Sequence, residues 1–88
     1  MLTRHLAKHL AAENITVNAI APGPFQSRMT SFVLDDPGSR AEVERHVPLG
    51  RIGRLEDVAG LTILLASRAG SYLTGVVIPL DGGITGCN

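Results

Sequence analysis

Ile15-Thr16-Val17-Asn18-Ala19-Ile20-Ala21-Pro22-Gly23 decides the fold. Its first seven residues are β-branched or small and apolar on almost every position. An antiparallel strand with one wet face would alternate; a run apolar on both faces is the pattern of a buried parallel strand. Pro22-Gly23-Pro24 then ends the strand sharply, because proline and glycine are the strongest local breakers.

Upstream, Leu2, Leu6 and Leu10 recur every four residues with Ala7 and Ala11 beside them, while Arg4, Lys8 and Glu13 lie off that stripe. The spacing predicts an amphipathic helix over 1–12. It has no N-cap residue, so it is expected to start in mid-stride. Glu13-Asn14 reads as the turn into the strand. Downstream, a short helical turn is expected over 27–34, broken by Asp35-Asp36-Pro37-Gly38. Ser39 and Glu42 have capping-box spacing, which predicts a brief helix from Arg40 to His46 that Pro48 and Gly50 stop. Glu56 and Asp57 place acid at a helix start, where the dipole favours it. Val58, Leu61, Leu64 and Leu65 follow at helical spacing, to Ser67, with Gly70 as a stop. Gly75 leads into a second apolar strand, Val76–Leu80. Asp81-Gly82-Gly83 turns the chain, and the last five residues read as a tail.

Two strands separated by a long helical crossover are a βαβ-like unit, hence parallel. Both read as buried on both faces, yet two strands alone leave open edges. The expected fold class is therefore α/β: a C-terminal portion of a Rossmann-like, doubly wound parallel sheet, two strands plus helices, forming an incomplete domain. The remaining sheet is expected from a missing N-terminal part, a partner chain or a second copy.

Composition narrows the function classes. Eight basic and eight acidic residues give a formal net charge of zero, which argues against nucleic acid as a partner. The hydrophobic share of 44% suits a folded domain rather than a disordered tail. No run approaches the ~18 apolar residues of a membrane helix, and the first residues do not read as a signal peptide. Cys87 is the one cysteine, so no internal disulfide is possible. A cytoplasmic setting is the expectation.

Three ordered stretches carry a family resemblance. Asn14-Ile15-Thr16-Val17-Asn18-Ala19-Ile20-Ala21-Pro22-Gly23 resembles the strand and Pro-Gly loop of the short-chain dehydrogenase/reductase family. Leu49-Gly50-Arg51-Ile52-Gly53-Arg54-Leu55-Glu56-Asp57-Val58-Ala59 is similar to its G-R-x-G-x-P-E-D-V-A stretch, with Leu55 in place of proline. Tyr72-Leu73-Thr74-Gly75-Val76-Val77-Ile78-Pro79-Leu80-Asp81-Gly82-Gly83 looks like its closing Y-x-T-G-x-x-x-x-x-D-G-G. Pro22 to Thr30 resembles the rhamnolipid-type 3-oxoacyl-carrier-protein reductases. The resemblance implies hydride transfer between NAD or NADP and a small-molecule carbonyl or alcohol, in the 3-oxoacyl class. It implies cofactor contacts at Pro22, Gly23, Phe25 and Ser27: Gly23 for close approach to the nicotinamide, Phe25 through its main chain, Ser27 through its hydroxyl.

The family's G-x-x-x-G-x-G fingerprint, N-A-G motif, catalytic serine and Y-x-x-x-K pair have no match among residues 1–88. No catalytic residue is therefore assigned, and the chain alone is expected to be inactive. The alternative is a non-catalytic truncated remnant acting as an oligomerisation or interaction module, so a homo-oligomer or a pairing with a chain that supplies the missing strands is expected. Residues 24–50 form a candidate lid over cofactor and substrate, with Phe25, Met29, Phe32, Val33 and Leu34 as a lining or as packing.

Other constellations carry less. His5 and His9 share a helix face, but no third ligand accompanies them, so they read as surface or interface residues and no metal is assigned. Ser27, His46 and Asp81 lack the strand-turn-helix elbow of a hydrolase. Arg51 and Arg54 read as salt-bridged or solvated flanks rather than phosphate ligands. Asp81-Gly82-Gly83 reads as structural, an Asp turn followed by glycines at positive φ.

Overall fold

In the computed structural model, which describes residues 1–87, α1 spans Leu2–Leu10 and tightens into a 3₁₀ turn over Ala11–Glu13. The Met1 side chain makes no capping hydrogen bond. Asn14 turns the chain with φ 59°, the left-handed conformation that asparagine tolerates. The first strand, β1, is Ala19–Pro22, shorter than the 15–21 expected. Residues 15–18 are apolar enough for a strand but meet a loop, not a strand: Val17 N–H donates to Thr74 Oγ1 at 3.1 Å, and Gly75 N–H donates to Val17 O at 2.8 Å. The second strand, β2, is Val77–Leu80. The two are parallel, with Ala19 opposite Val77 and Pro22 opposite Leu80, as the crossover required.

Between them lie α2 (Ser31–Leu34), α3 (Pro37–Arg45) and α4 (Leu55–Ala66). The expected turn over 27–34 shrinks to α2. The helix expected from Arg40 begins at Pro37 instead, so the supposed breaker Asp36-Pro37-Gly38 is a helix start. Asp36, not Ser39, is the N-cap: its Oδ2 accepts from Ser39 N–H at 3.0 Å and Ser39 Oγ at 2.8 Å. Proline at N1 lacks only an N–H that the first turn would leave unpaired. Asp57 reaches back to the N–H of Arg54 at 2.8 Å and so closes the start of α4. A 3₁₀ turn over Arg68–Gly70 follows, and Gly70 lies so close to the Leu64 carbonyl that a Cβ would sit 2.4 Å from it.

The expected two-sided burial of the strands is not met within this chain. Among the described residues the buried apolar positions are Ala7, Leu34, Val47 and Ile52. In β1 the last two residues are exposed, and in β2 exposed and half-buried positions alternate. The strands are apolar enough for two covered faces, but α1 and α4 cannot cover them alone. The α4 helix is likewise apolar nearly all round, a composition suited to burial on both sides, yet Ile63 is 68% exposed. The radius of gyration is 15.6 Å, against about 12 Å for a compact domain of this length. The chain is thus a two-stranded portion of a Rossmann-like sheet with unfilled faces. Among the described residues no helix is long and apolar enough to cross a membrane.

Candidate functional site

Both strands run the same way, so their C-terminal ends lie together, and the loops leaving them form one rim. Open parallel sheets take their ligands at this end. Gly23, just past β1, donates to Leu80 O at 2.9 Å and faces the backbone of Asp81. A Cβ on Gly23 would stand 2.6 Å from Asp81 Cβ and 2.8 Å from Asp81 Cα. The glycine of the motif is therefore explained locally by the close approach of the two strand ends.

Asp81 is the hub of the second loop. Its carboxylate accepts from Thr85 Oγ1 at 2.6 Å, Thr85 N–H at 3.1 Å and Gly83 N–H at 3.0 Å. The Thr85 hydroxyl first, then the backbone N–H donors, hold its carboxyl below the usual aspartate range. Gly82 and Gly83 follow at φ 65° and 105°, so the structural reading of this turn holds.

The loop from Pro24 to Thr30 is organised by one hydroxyl. Thr30 Oγ1 donates to the Phe25 carbonyl at 2.8 Å, and accepts from Ser27 N–H at 3.0 Å. Ser27 Oγ lies 3.1 Å from the same oxygen. Gln26 ties the loop to the helices beyond it: its Oε1 accepts from Arg40 at 2.9 Å and its Nε2 donates to Asp35 at 3.4 Å. The Phe25 ring packs against Gly53, where a Cβ would be 2.3 Å from it, and Gly53 N–H donates to Pro24 O at 2.9 Å.

Arg51 and Asp57 brace the next segment. Arg51 donates through both terminal nitrogens, at 2.8 and 3.3 Å. This pairing, helped by the Arg54 N–H, lowers the Asp57 pKa to about 2. Arg51 is thus salt-bridged, as expected of a flank residue. A cleft of about 160 Å³ opens between these parts, walled by Phe25, Leu49 and Leu80, with Arg51, Asp57 and Asp81 at its polar side.

The sequence candidates separate in this geometry. Phe25 lines the cleft; Pro22, Gly23 and Ser27 do not. Ser27 is exposed. In the 24–50 segment Leu34 is packed inside, whereas Phe32 is 80% exposed and Met29 85%. Ser27, His46 and Asp81 are not assembled: His46 meets Glu42, Asp81 meets Thr85, and Ser27 meets Thr30. His5 and His9 stack edge to face, with centroids 4.4 Å apart. Among the described residues no group of three or more His, Cys, Asp or Glu side chains is placed to hold a metal.

Two residues escaped the sequence reading. Thr30 had only its three-residue spacing from Ser27 as a signal. Asn18 was visible as the lone amide in an apolar run. Its Oδ1 accepts from Val76 N–H at 3.3 Å and its Nδ2 donates to Leu73 O at 3.0 Å, which joins the entry of β2 to β1.

A parallel α/β unit with a Pro-Gly loop at the C-terminal ends of its strands defines the class: a piece of a Rossmann-like sheet. The enoyl-(acyl carrier protein) reductase family matches residues 1–85, and the chain belongs to it, as the C-terminal part of a short-chain dehydrogenase/reductase. It is 52% identical over 82 residues to the rhamnolipids biosynthesis 3-oxoacyl-[acyl-carrier-protein] reductase of Pseudomonas aeruginosa, covering 93% of this chain and 32% of that protein. It is 45% identical over 85 residues to 3beta-hydroxysteroid dehydrogenase 1 of Eggerthella lenta, covering 97% of this chain and 33% of that one. Among solved structures, the Pseudomonas aeruginosa RhlG/NADP active-site complex superposes with a TM-score of 0.90 at 52% identity, over 94% of this chain and 32% of that one. An NADP-bound putative 2-deoxy-d-gluconate 3-dehydrogenase from Agrobacterium tumefaciens superposes at 0.87 with 38% identity, over 96% and 34%. The chain spans about a third of the length of these relatives.

Proposed function

We propose that this chain is the C-terminal segment of an NAD(P)-dependent oxidoreductase acting on a carbonyl or alcohol of the 3-oxoacyl class. The observation that carries the reading is the rim: a Pro-Gly loop leaves β1 beside the end of β2 and is pinned so that Ser27 and the Phe25 main chain are held in fixed geometry. A nicotinamide carboxamide, with one carbonyl and one NH₂, pairs with polar groups of this kind held in place. The cofactor itself supplies the hydride. Pro22 and Gly23 shape the loop, Phe25 and Ser27 meet the carboxamide, and residues 24–50 cover the substrate. The names of the relatives point to the same chemistry, since they include 3-oxoacyl reductases and NADP complexes.

The fit is partial. The nicotinamide end has candidate contacts here, but the pyrophosphate is normally held at a glycine-rich helix N-terminus, and no such turn occurs in this sequence. The one tyrosine, Tyr72, is followed by Leu-Thr-Gly-Val rather than by a lysine four positions on. The isolated chain is thus proposed to be inactive and a poor cofactor binder. Two assays test this together. The purified chain should not oxidise NADPH in a carbonyl-dependent manner. A hybrid, in which the whole chain replaces the matched segment of the Pseudomonas reductase, should do so. Turnover by the isolated chain, or an inert but well-folded hybrid, would refute the proposal.

A further inference from the structure

The Thr30 hydroxyl has one proton and two acceptor sites. Its shortest contact is the Phe25 carbonyl, 2.8 Å away, which can only accept; the Ser27 carbonyl is a poorer alternative at 3.4 Å. The proton therefore goes to Phe25. One acceptor site is taken by Ser27 N–H at 3.0 Å. At 3.1 Å from Ser27 Oγ, the remaining site can form a hydrogen bond only if Ser27 donates. All three capacities of Thr30 are then filled, and the single proton of Ser27 points inward. What Ser27 shows to the outside is lone pairs.

We propose that Thr30 is a positioning residue that fixes Ser27 as a hydrogen-bond acceptor, so that the loop selects ligands presenting an N–H donor. This inference rests on the reading of the loop as the carboxamide contact and adds a polarity to it. A primary carboxamide offers both a carbonyl and an NH₂; Ser27 in this state takes the NH₂. A hydroxyl free to rotate would accept either group and discriminate little. Thr30 itself touches no ligand.

The test compares NADPH with its 3-acetylpyridine analogue, in which a methyl group replaces the NH₂, as ligands of the hybrid. A neutral hydrogen bond corresponds to a preference of about three- to tenfold for the carboxamide. Thr30→Val keeps the shape and removes the hydroxyl, so the preference should fall below about twofold. Thr30→Ser should retain it. Ser27→Ala should abolish it, and adding Thr30→Val to Ser27→Ala should change it no further, as expected of two residues acting through one contact. If Thr30→Val weakens both ligands equally and keeps their ratio, Thr30 serves only the loop's shape and the inference fails. A hybrid with Thr30 intact that binds neither ligand overturns the carboxamide reading itself, and the inference with it.

Discussion

Gly23→Ala should break the junction of the two strand ends. The new Cβ would stand 2.6 Å from Asp81 Cβ and 2.8 Å from Asp81 Cα, whereas carbon atoms rest at about 3.5–4.0 Å. One of the two obstacles is main chain, so no side-chain rotation relieves it. The ends of β1 and β2 must part by about 1 Å, which takes the Gly23 N–H out of reach of Leu80 O, now 2.9 Å away. Overpacking costs about 1–3 kcal/mol and the lost hydrogen bond about 1 more, together about 2–4 kcal/mol. At a urea m-value of about 3 kcal/mol/M the denaturation midpoint of the hybrid should drop by about 0.7–1.3 M. Asp81 also holds the Gly83 and Thr85 loop, so amide exchange there should quicken in the same variant. An unchanged midpoint, with the Gly83 amide equally protected, would refute the close-approach argument.

Three other outcomes are expected. Asp57 has a folded-state pKa of about 2 against an ordinary 3.8, so its contribution is present above about pH 4 and fades as pH falls toward 2; Asp57→Asn should flatten that part of a stability-against-pH curve, and an identical acid limb in both proteins would contradict the Arg51 pairing. Gly60 sits in the interior of α4 with nothing within 4 Å of the place a methyl group would take, so Gly60→Ala should raise the helical signal of the isolated chain, by a gain of about 0.5–1 kcal/mol in that helix; a drop in circular dichroism at 222 nm would mean the face is occupied. The isolated chain should scatter light as oligomers or aggregates, because Phe32, Ile63 and the strand faces are uncovered and burying apolar surface yields about 25 cal/mol per Å²; a monodisperse monomer with cooperative melting would show that it closes its own core.

The sequence was most legible where one residue type has one physical use. The parallel pairing followed from the apolar runs and the length between them, and the Glu13-Asn14 turn and the Asp81 turn were readable from conformational preference. It was least legible where two local signals compete. Ser39 and Asp36 are both good caps, three residues apart, and only the path of the chain through Pro37 decides for Asp36. Strand length failed because apolar composition marks what a segment is built to bury, not what pairs with it: residues 15–18 meet a loop at Leu73–Gly75. The site divided in the same way. The Pro-Gly loop was visible as a break, but the Thr30 contacts with Phe25 and Ser27 arise from a turn geometry that spacing alone does not specify.

The parallel pairing of β1 with β2 also sets the order of assembly. Its partners are far apart along the chain, 58 positions in the case of Ala19 and Val77. Closing a loop of that size costs roughly 3–4 kcal/mol of chain entropy before any strand contact offsets it. The helices need no such closure and form from neighbours in sequence, so they should precede the sheet by orders of magnitude in time. A cut in the exposed crossover would remove the tether altogether. Pairing would then depend on the concentration of two separate pieces instead of the fixed effective concentration the crossover supplies.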